Sequence, residues 1–270
     1  MVQQAIKHST RKAINMKRVK SAIIILAAVV SLVSCEKNTF KQREVTYPEG
    51  KALVKVGLFT AYNVNSPMRV AFNGEYISNE LLYAIPFPGG GFNTGGLSNS
   101  DYLVANPGTT KVELFMMNVG LPKPATRVME ANVDMEANKR YTLFLTDTAS
   151  KTSAWLVNVD GPTPDTGTAA VIFANGIPNL ASVDFYKGAT ETTAALIAGN
   201  VKYKEASQYI KVTAGTDSIF VRKAGEAISV RPFVRRPFTF SNQRLYTVLT
   251  RGYDGATGNR ITHLSAIVNQ

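Results

Sequence analysis

The sequence predicts an all-β protein: two tandem immunoglobulin-like antiparallel β-sandwich domains behind an N-terminal targeting segment. Three observations predict it. Short runs of β-branched, aromatic and aliphatic residues alternate at a period of two, the periodicity of strands. Turn pairs punctuate them, at Asn73-Gly74, Pro107-Gly108, Ala214-Gly215 and Asp254-Gly255. The later part of the chain also repeats the earlier part in order. At 270 residues and 45% hydrophobic, the chain is long and apolar enough for two cores.

The N-terminal segment comes first. Residues 1–34 hold six Lys and Arg and no acid, so they supply much of the formal charge of +11. Without them 24 basic groups face 19 acidic ones, a net of +5, and the case for a nucleic-acid partner weakens. From Met16 the chain reads "MKRVKSAIIILAAVVSLVSC". A basic start is followed by an apolar stretch from Ser21 to Ser34, roughly 21 Å long as a helix against a hydrocarbon core of ~30 Å. Such a stretch is a signal-peptide segment rather than a membrane span. Residues 1–15 read as an upstream extension.

Leu32-Val33-Ser34-Cys35 resembles the bacterial lipobox. The resemblance implies diacylglycerol on the Cys35 thiol, cleavage before Cys35 and acylation of the new amine. Two or three acyl chains anchor stably where one does not. Cys35 is the sole cysteine, which excludes an intramolecular disulfide. Residues 35–50 are expected to be a polar tether. Glu36, in place of an aspartate, implies the outer membrane, facing the periplasm or the cell surface.

The repeats are placed at 51–160 and 169–270, joined by a linker at 161–168, "GPTPDTGT". "VAFNG" at 70–74 pairs with "DFYKG" at 184–188, "YLVANPGT" with "YIKVTAGT", and "KRYTL" with "RLYTV". In the first repeat Val54, Val56 and Leu58 alternate with Lys55, Gly57 and Phe59, and Val112, Leu114 and Met116 with Glu113, Phe115 and Met117. In the second, Ile219 and Val221 alternate with Phe220 and Arg222. Tyr141 to Thr146 and Tyr246 to Arg251 are near-continuous strand formers. About seven or eight strands are expected per repeat, each with one buried face.

The order "VDFYKG", "YIKVTAGTDSIFV", "RLYTVLT" resembles the domain of unknown function 4397, a β-sandwich module of bacterial envelope proteins. The resemblance covers both repeats and is stronger in the second, which opens with "FANGIPN". The first has "FTAYNVNSP" there and Val70 opposite Asp184 in the alignment. The family implies fold and location but no activity.

Chemistry-bearing motifs are few. Past Cys35 the chain has one histidine, His263, without a nucleophile motif or metal-ligand cluster around it. No catalytic residue, metal or cofactor is expected. "GGGFNTGG" at 89–96 lacks the lysine and helix of a phosphate loop and reads as an inserted loop. Phe87, Phe92 and Tyr102 beside it are candidates to stack on sugar rings. In "VRPFVRRPFTF", Arg231, Arg235 and Arg236 alternate with phenylalanines; Pro232 and Pro237 mark an irregular edge strand, with an anionic glycan contact as the alternative. Asp254 opens a weak calcium-type loop, and Asp134, Glu136 and Asp217 are carboxylates near turns. Asp147-Thr148-Ala149 and Asp217-Ser218-Ile219 resemble an O-glycosylation motif.

The expectation is a lipid-anchored envelope protein that binds or scaffolds a glycan or protein without catalysis. The alternatives are a carbohydrate-active hydrolase using carboxylates, and a structural spacer.

Overall fold

The computed structural model describes residues 47–62, 66–84, 86–89, 101–118 and 125–270. The signal segment, Cys35 and Phe92 lie outside the described residues.

The first half holds β1 (Ala52–Leu58), β2 (Met68–Phe72), β3 (Glu75–Tyr76), β4 (Pro86–Phe87), β5 (Leu103–Ala105), β6 (Gly108–Met116), β7 (Thr126–Met135), β8 (Arg140–Thr146) and β9 (Ser153–Asn158). The second holds β10 (Thr168–Asn175), β11 (Ser182–Gly188), β12 (Ala195–Lys202), β13 (Ile210–Thr213), β14 (Gly215–Lys223), β15 (Val234–Phe240), β16 (Leu245–Arg251) and β17 (His263–Val268). The fold is all-β; the described helices are two single 3-10 turns.

Each half contributes two sheets. In the first they run β4-β1-β8-β9, with β5 also on β1, and β3-β2-β6-β7. In the second they run β13-β10-β16-β17 and β12-β11-β14-β15. Pairing is antiparallel except for β1 with β8 and β10 with β16, which are parallel. Parallel neighbours need a long crossover. The chain supplies it by passing through the other sheet between those strands.

The halves reuse the same bonds. Leu53 N–H donates to Lys139 O at 2.9 Å, and Ala170 N–H to Arg244 O at 3.0 Å. Glu136 N–H donates to the Tyr141 hydroxyl at 3.1 Å, and Ser241 N–H to Tyr246 at 2.9 Å. Such a tyrosine fastens the chain just before its own strand, as in other sandwiches. Gly108 and Gly215 both take a positive φ, 104° and 132°, which explains why glycine stands at both turns.

One alignment read from the sequence shifts. Asp184 faces Arg222 across β11 and β14, where the first half has Arg69 facing Phe115 across β2 and β6. The counterpart of Asp184 is therefore Arg69, not Val70. Val70 is in the first core, and with a side-chain period of two a slip of one residue exchanges the faces.

Three apolar clusters result. Val54, Val56 and Leu58 pack with Val70, Val112 and Leu114 inside the first sandwich. Val171, Phe173, Val183, Phe185, Val221 and Tyr246 fill the second. The third joins the halves: Leu53, Phe59 and Phe144 of one pack with Ile172, Leu249 and Ile267 of the other. All seven residues of β1 and all seven of β16 are buried. The expectation of one buried face per strand therefore fails for these central strands, because their second faces meet each other.

Polar groups also cross this seam. Lys55 Nζ donates to Val268 O at 2.8 Å and lies 4.9 Å from the centre of the Tyr102 ring. The Tyr102 hydroxyl donates to Asn269 O at 2.8 Å. Each sheet end receives a tyrosine from the other half. Tyr203 shares a hydrogen bond with Thr146 Oγ1 at 2.9 Å, and the Tyr83 ring lies 4.9 Å from the Arg251 guanidinium.

Candidate functional site

A cleft of about 490 Å³ opens where the edge strand β9 meets β10 and the segment before β13. Its apolar wall is Trp155, Ile172 and Ala206; its polar wall is Lys139, Asn158, Asp160 and Gln208, with Tyr209 between. β9 supplies Trp155 because its period-two pattern alternates Ala154 and Leu156, which pack on the first core, with Trp155 and Val157 on the seam side. Trp155 rests on Phe144, ring centres 5.2 Å apart, and is half-buried. No acceptor takes its indole N–H among the described residues, so the ring presents both an apolar face and a donor.

Tyr209 is locked. Its hydroxyl donates to Val159 O at 2.7 Å and accepts from Asn269 Nδ2 at 3.0 Å. Burial pushes this phenol well above its ordinary pKa, so it stays neutral. A Cβ at Gly161 would lie 2.6 Å from the Tyr209 ring; glycine there lets the linker close over it. The Asp160 carboxylate accepts the Arg140 backbone N–H at 3.1 Å, and the Asn158 side chain accepts the Asp160 N–H at 2.9 Å. These bonds fix two polar side chains at the cleft mouth before any ligand arrives. An aromatic face beside pre-set donors and acceptors suits a polyhydroxylated ring.

The residues singled out in the sequence fall elsewhere. Phe87 is in β4 and packs against the first core. Tyr102 is only 7% exposed and belongs to the seam. Stacking on a sugar is corrected for Tyr102, whose ring is packed into the seam; Phe87 is half-buried in a strand rather than at a loop tip. Arg231 and Arg235 are exposed, and Arg236 is half-buried on the inward side of β15. Phe238 and Phe240 are core residues on the same side of β15 as Arg236, Arg235 faces outward, and Arg231 and Phe233 precede the strand. β15 is an edge strand. The Asp254 carboxylate pairs with Lys223 at 2.7 Å, and Asp217 with Lys187 at 2.5 Å. Asp147 accepts hydrogen bonds from its neighbour's N–H and from the Tyr253 hydroxyl. No group of three metal-ligating side chains occurs among the described residues. No described helix is long and apolar enough to cross a membrane.

Sequence reasoning missed Trp155, Asp160 and Tyr209. One signal was available: Trp155 is the single tryptophan, six residues from the linker.

Residues 91–186 match the model of a family described as Domain of unknown function (DUF4397), the family recognised in the sequence. The match takes the later strands of the first half and then β10 and β11. Because β10 and β11 pair with strands of the second half, the window crosses the boundary between the halves. No curated protein matches. Similar solved structures include a leucine-rich repeat protein from Bacteroides thetaiotaomicron VPI-5482, 20% identical, with 74% of this chain and 26% of that chain covered at a TM-score of 0.20. This chain thus spans about a quarter of that protein. A candidate cell adhesion protein from Bacteroides fragilis NCTC 9343 is 10% identical, with 83% of this chain and 98% of that one covered, also at 0.20. At that score neither likeness carries an argument.

Proposed function

We propose that the protein is a non-catalytic envelope module that holds a glycan in the cleft between its halves, anchored by lipid on Cys35 to the outer membrane. The observation that carries the reading is Trp155. An aromatic face, with an indole N–H that no described residue accepts, lines one cleft together with Lys139, Asn158, Asp160 and Gln208. Loss of such a face costs a ligand roughly tenfold or more in affinity, about 1.4 kcal/mol. On an array of envelope glycans, Trp155→Ala is expected to lose that much; because the ring also packs on Phe144, its unfolding midpoint falls too, and binding is compared at a temperature where both proteins are folded. Equal binding by the variant would overturn the assignment of the cleft, and no binding by either protein would favour a spacer.

The hydrolase alternative needs two carboxyl groups about 5–9.5 Å apart across the scissile bond. Asp160 is the one acid among the described residues lining the cleft, which supports binding over hydrolysis. The anchor rests on the lipobox-like Leu32-Val33-Ser34-Cys35. Cys35→Ala is expected to accumulate as an uncleaved precursor without lipid. Normal cleavage with membrane retention after an alkaline wash would contradict it.

A further inference from the structure

The polar bonds of the seam come in matching pairs, one from each half. By pairing register Tyr102 and Tyr209 are counterparts, each just before the strand that pairs with β1 or β10. The Tyr102 hydroxyl donates to Asn269 O at 2.8 Å, and the Tyr209 hydroxyl to Val159 O at 2.7 Å. Asn269 and Val159 are counterparts too, donating to Leu245 O and Arg140 O.

One pair is broken. Lys55 lies beside Thr142 and Ile172 beside Thr247, so Lys55 and Ile172 hold the same place in the two halves. Val268 and Asn158, opposite Tyr246 and Tyr141, also correspond. Lys55 Nζ donates to Val268 O at 2.8 Å. Ile172 has no donor to give Asn158. The Asn158 carbonyl is open because of register: Val159 N–H donates to Arg140 O, so the odd-numbered residues of β9 face β8. The Asn158 peptide points off the edge, as that of Val268 does off β17. No described residue donates to Asn158 O. Ile172, Asn158 and Tyr209 line the same cleft.

The first half shows what suits such a place. The Lys55 ammonium has a strand-edge carbonyl, the Tyr102 ring at 4.9 Å and the attraction of Asp101. The cleft offers Asn158 O, the Tyr209 ring and Asp160. Carbonyl, aromatic face and carboxylate are the groups that hold an ammonium. Lys139 is the one base among the described lining residues and offsets Asp160, so selectivity rests on the carbonyl and the ring rather than on net charge. We infer that the cleft takes a primary amine and, resting on the glycan reading above, that its ligand is an amino sugar whose ammonium donates to Asn158 O where Lys55 serves Val268 in the other half. Trp155 in the same cleft is left for the sugar ring.

The test is calorimetric titration of the full chain with β-1,4-linked tetramers of glucosamine, N-acetylglucosamine and glucose, at matched ionic strength and below the pKa of the amine. The three differ only in the group on C2: ammonium, acetamide or hydroxyl. Binding of the glucosamine tetramer at least tenfold tighter than the other two supports the site. Ile172→Lys supplies the amine from within, as Lys55 does, and should abolish that preference. Asp160→Asn, a milder change, should weaken the glucosamine tetramer alone. The parent's ranking of the tetramers decides the matter even if a variant fails to fold. Equal binding of all three would overturn the amine and leave the glycan reading standing. Tighter binding of the tripeptide Gly-Lys-Gly than of the glucosamine tetramer would overturn the sugar in favour of a basic peptide. Binding of none would overturn the inference, while the glycan array judges the broader reading separately.

Discussion

Lys55 carries its amine into the seam between the halves, where burial lowers its pKa from 10.5 to about 8 against a small opposing pull from Asp101. Between those values the unfolded chain binds a proton that the folded chain has released. Stability therefore rises with pH through that window, by on the order of 3 kcal/mol if this group acts alone. Urea unfolding from pH 7.5 to 10.5 should show the rise in the parent and not in Lys55→Met. Equal slopes would mean that the amine is solvated. Arg222 is the other deeply buried cation. It donates to Val230 O at 2.7 Å, Glu191 O at 2.8 Å and Ile228 O at 3.0 Å, and lies over Tyr186. It fastens the loops on either side of its sheet, while one guanidinium nitrogen stays buried with no partner among the described residues. Across the strand pair Asp184 spends its carboxylate on the Asn200 and Gly225 N–H groups. No periodicity announces such a latch, because its partners are backbone carbonyls of loops.

At the scale of elements, strands and turns were legible and second faces were not. Gly108 and Gly215, the Asn73-Gly74 turn and the proline-marked edge strand β15 all stand where local chemistry puts them. Alternation along β1 suggested a core face at Val54, Val56 and Leu58 and a wet face at Lys55, Gly57 and Phe59. The wet face is dry because β10 and β16, far along the chain, cover it. The clue was the near-continuous apolar character of β8 and β16, the pattern of strands buried on both sides. Phe144 separates the two views. On a solvent face its truncation would change stability by less than about 0.5 kcal/mol. In the seam, packed on Phe59 and Trp155, Phe144→Ala should cost about 3–5 kcal/mol. The urea midpoint decides between them.

Across the whole molecule, Tyr47–Gln270 forms one compact unit, and the seam that unites it also makes the cleft. Trp155 and Asp160 come from the first half, Ile172 and Tyr209 from the second. Neither sandwich alone encloses the site, which is why a repeat-by-repeat reading of the sequence did not find it: Phe87 and Tyr102 looked available only because their burial depends on contacts distant in sequence. The single tryptophan of the chain lies in this cleft, so its emission reports on one place. The most direct test is tryptophan fluorescence during titration with an envelope glycan that binds on the array. A saturable change that tracks the binding isotherm is expected. Full binding with unchanged emission, and unchanged affinity in Trp155→Ala, would place the ligand elsewhere.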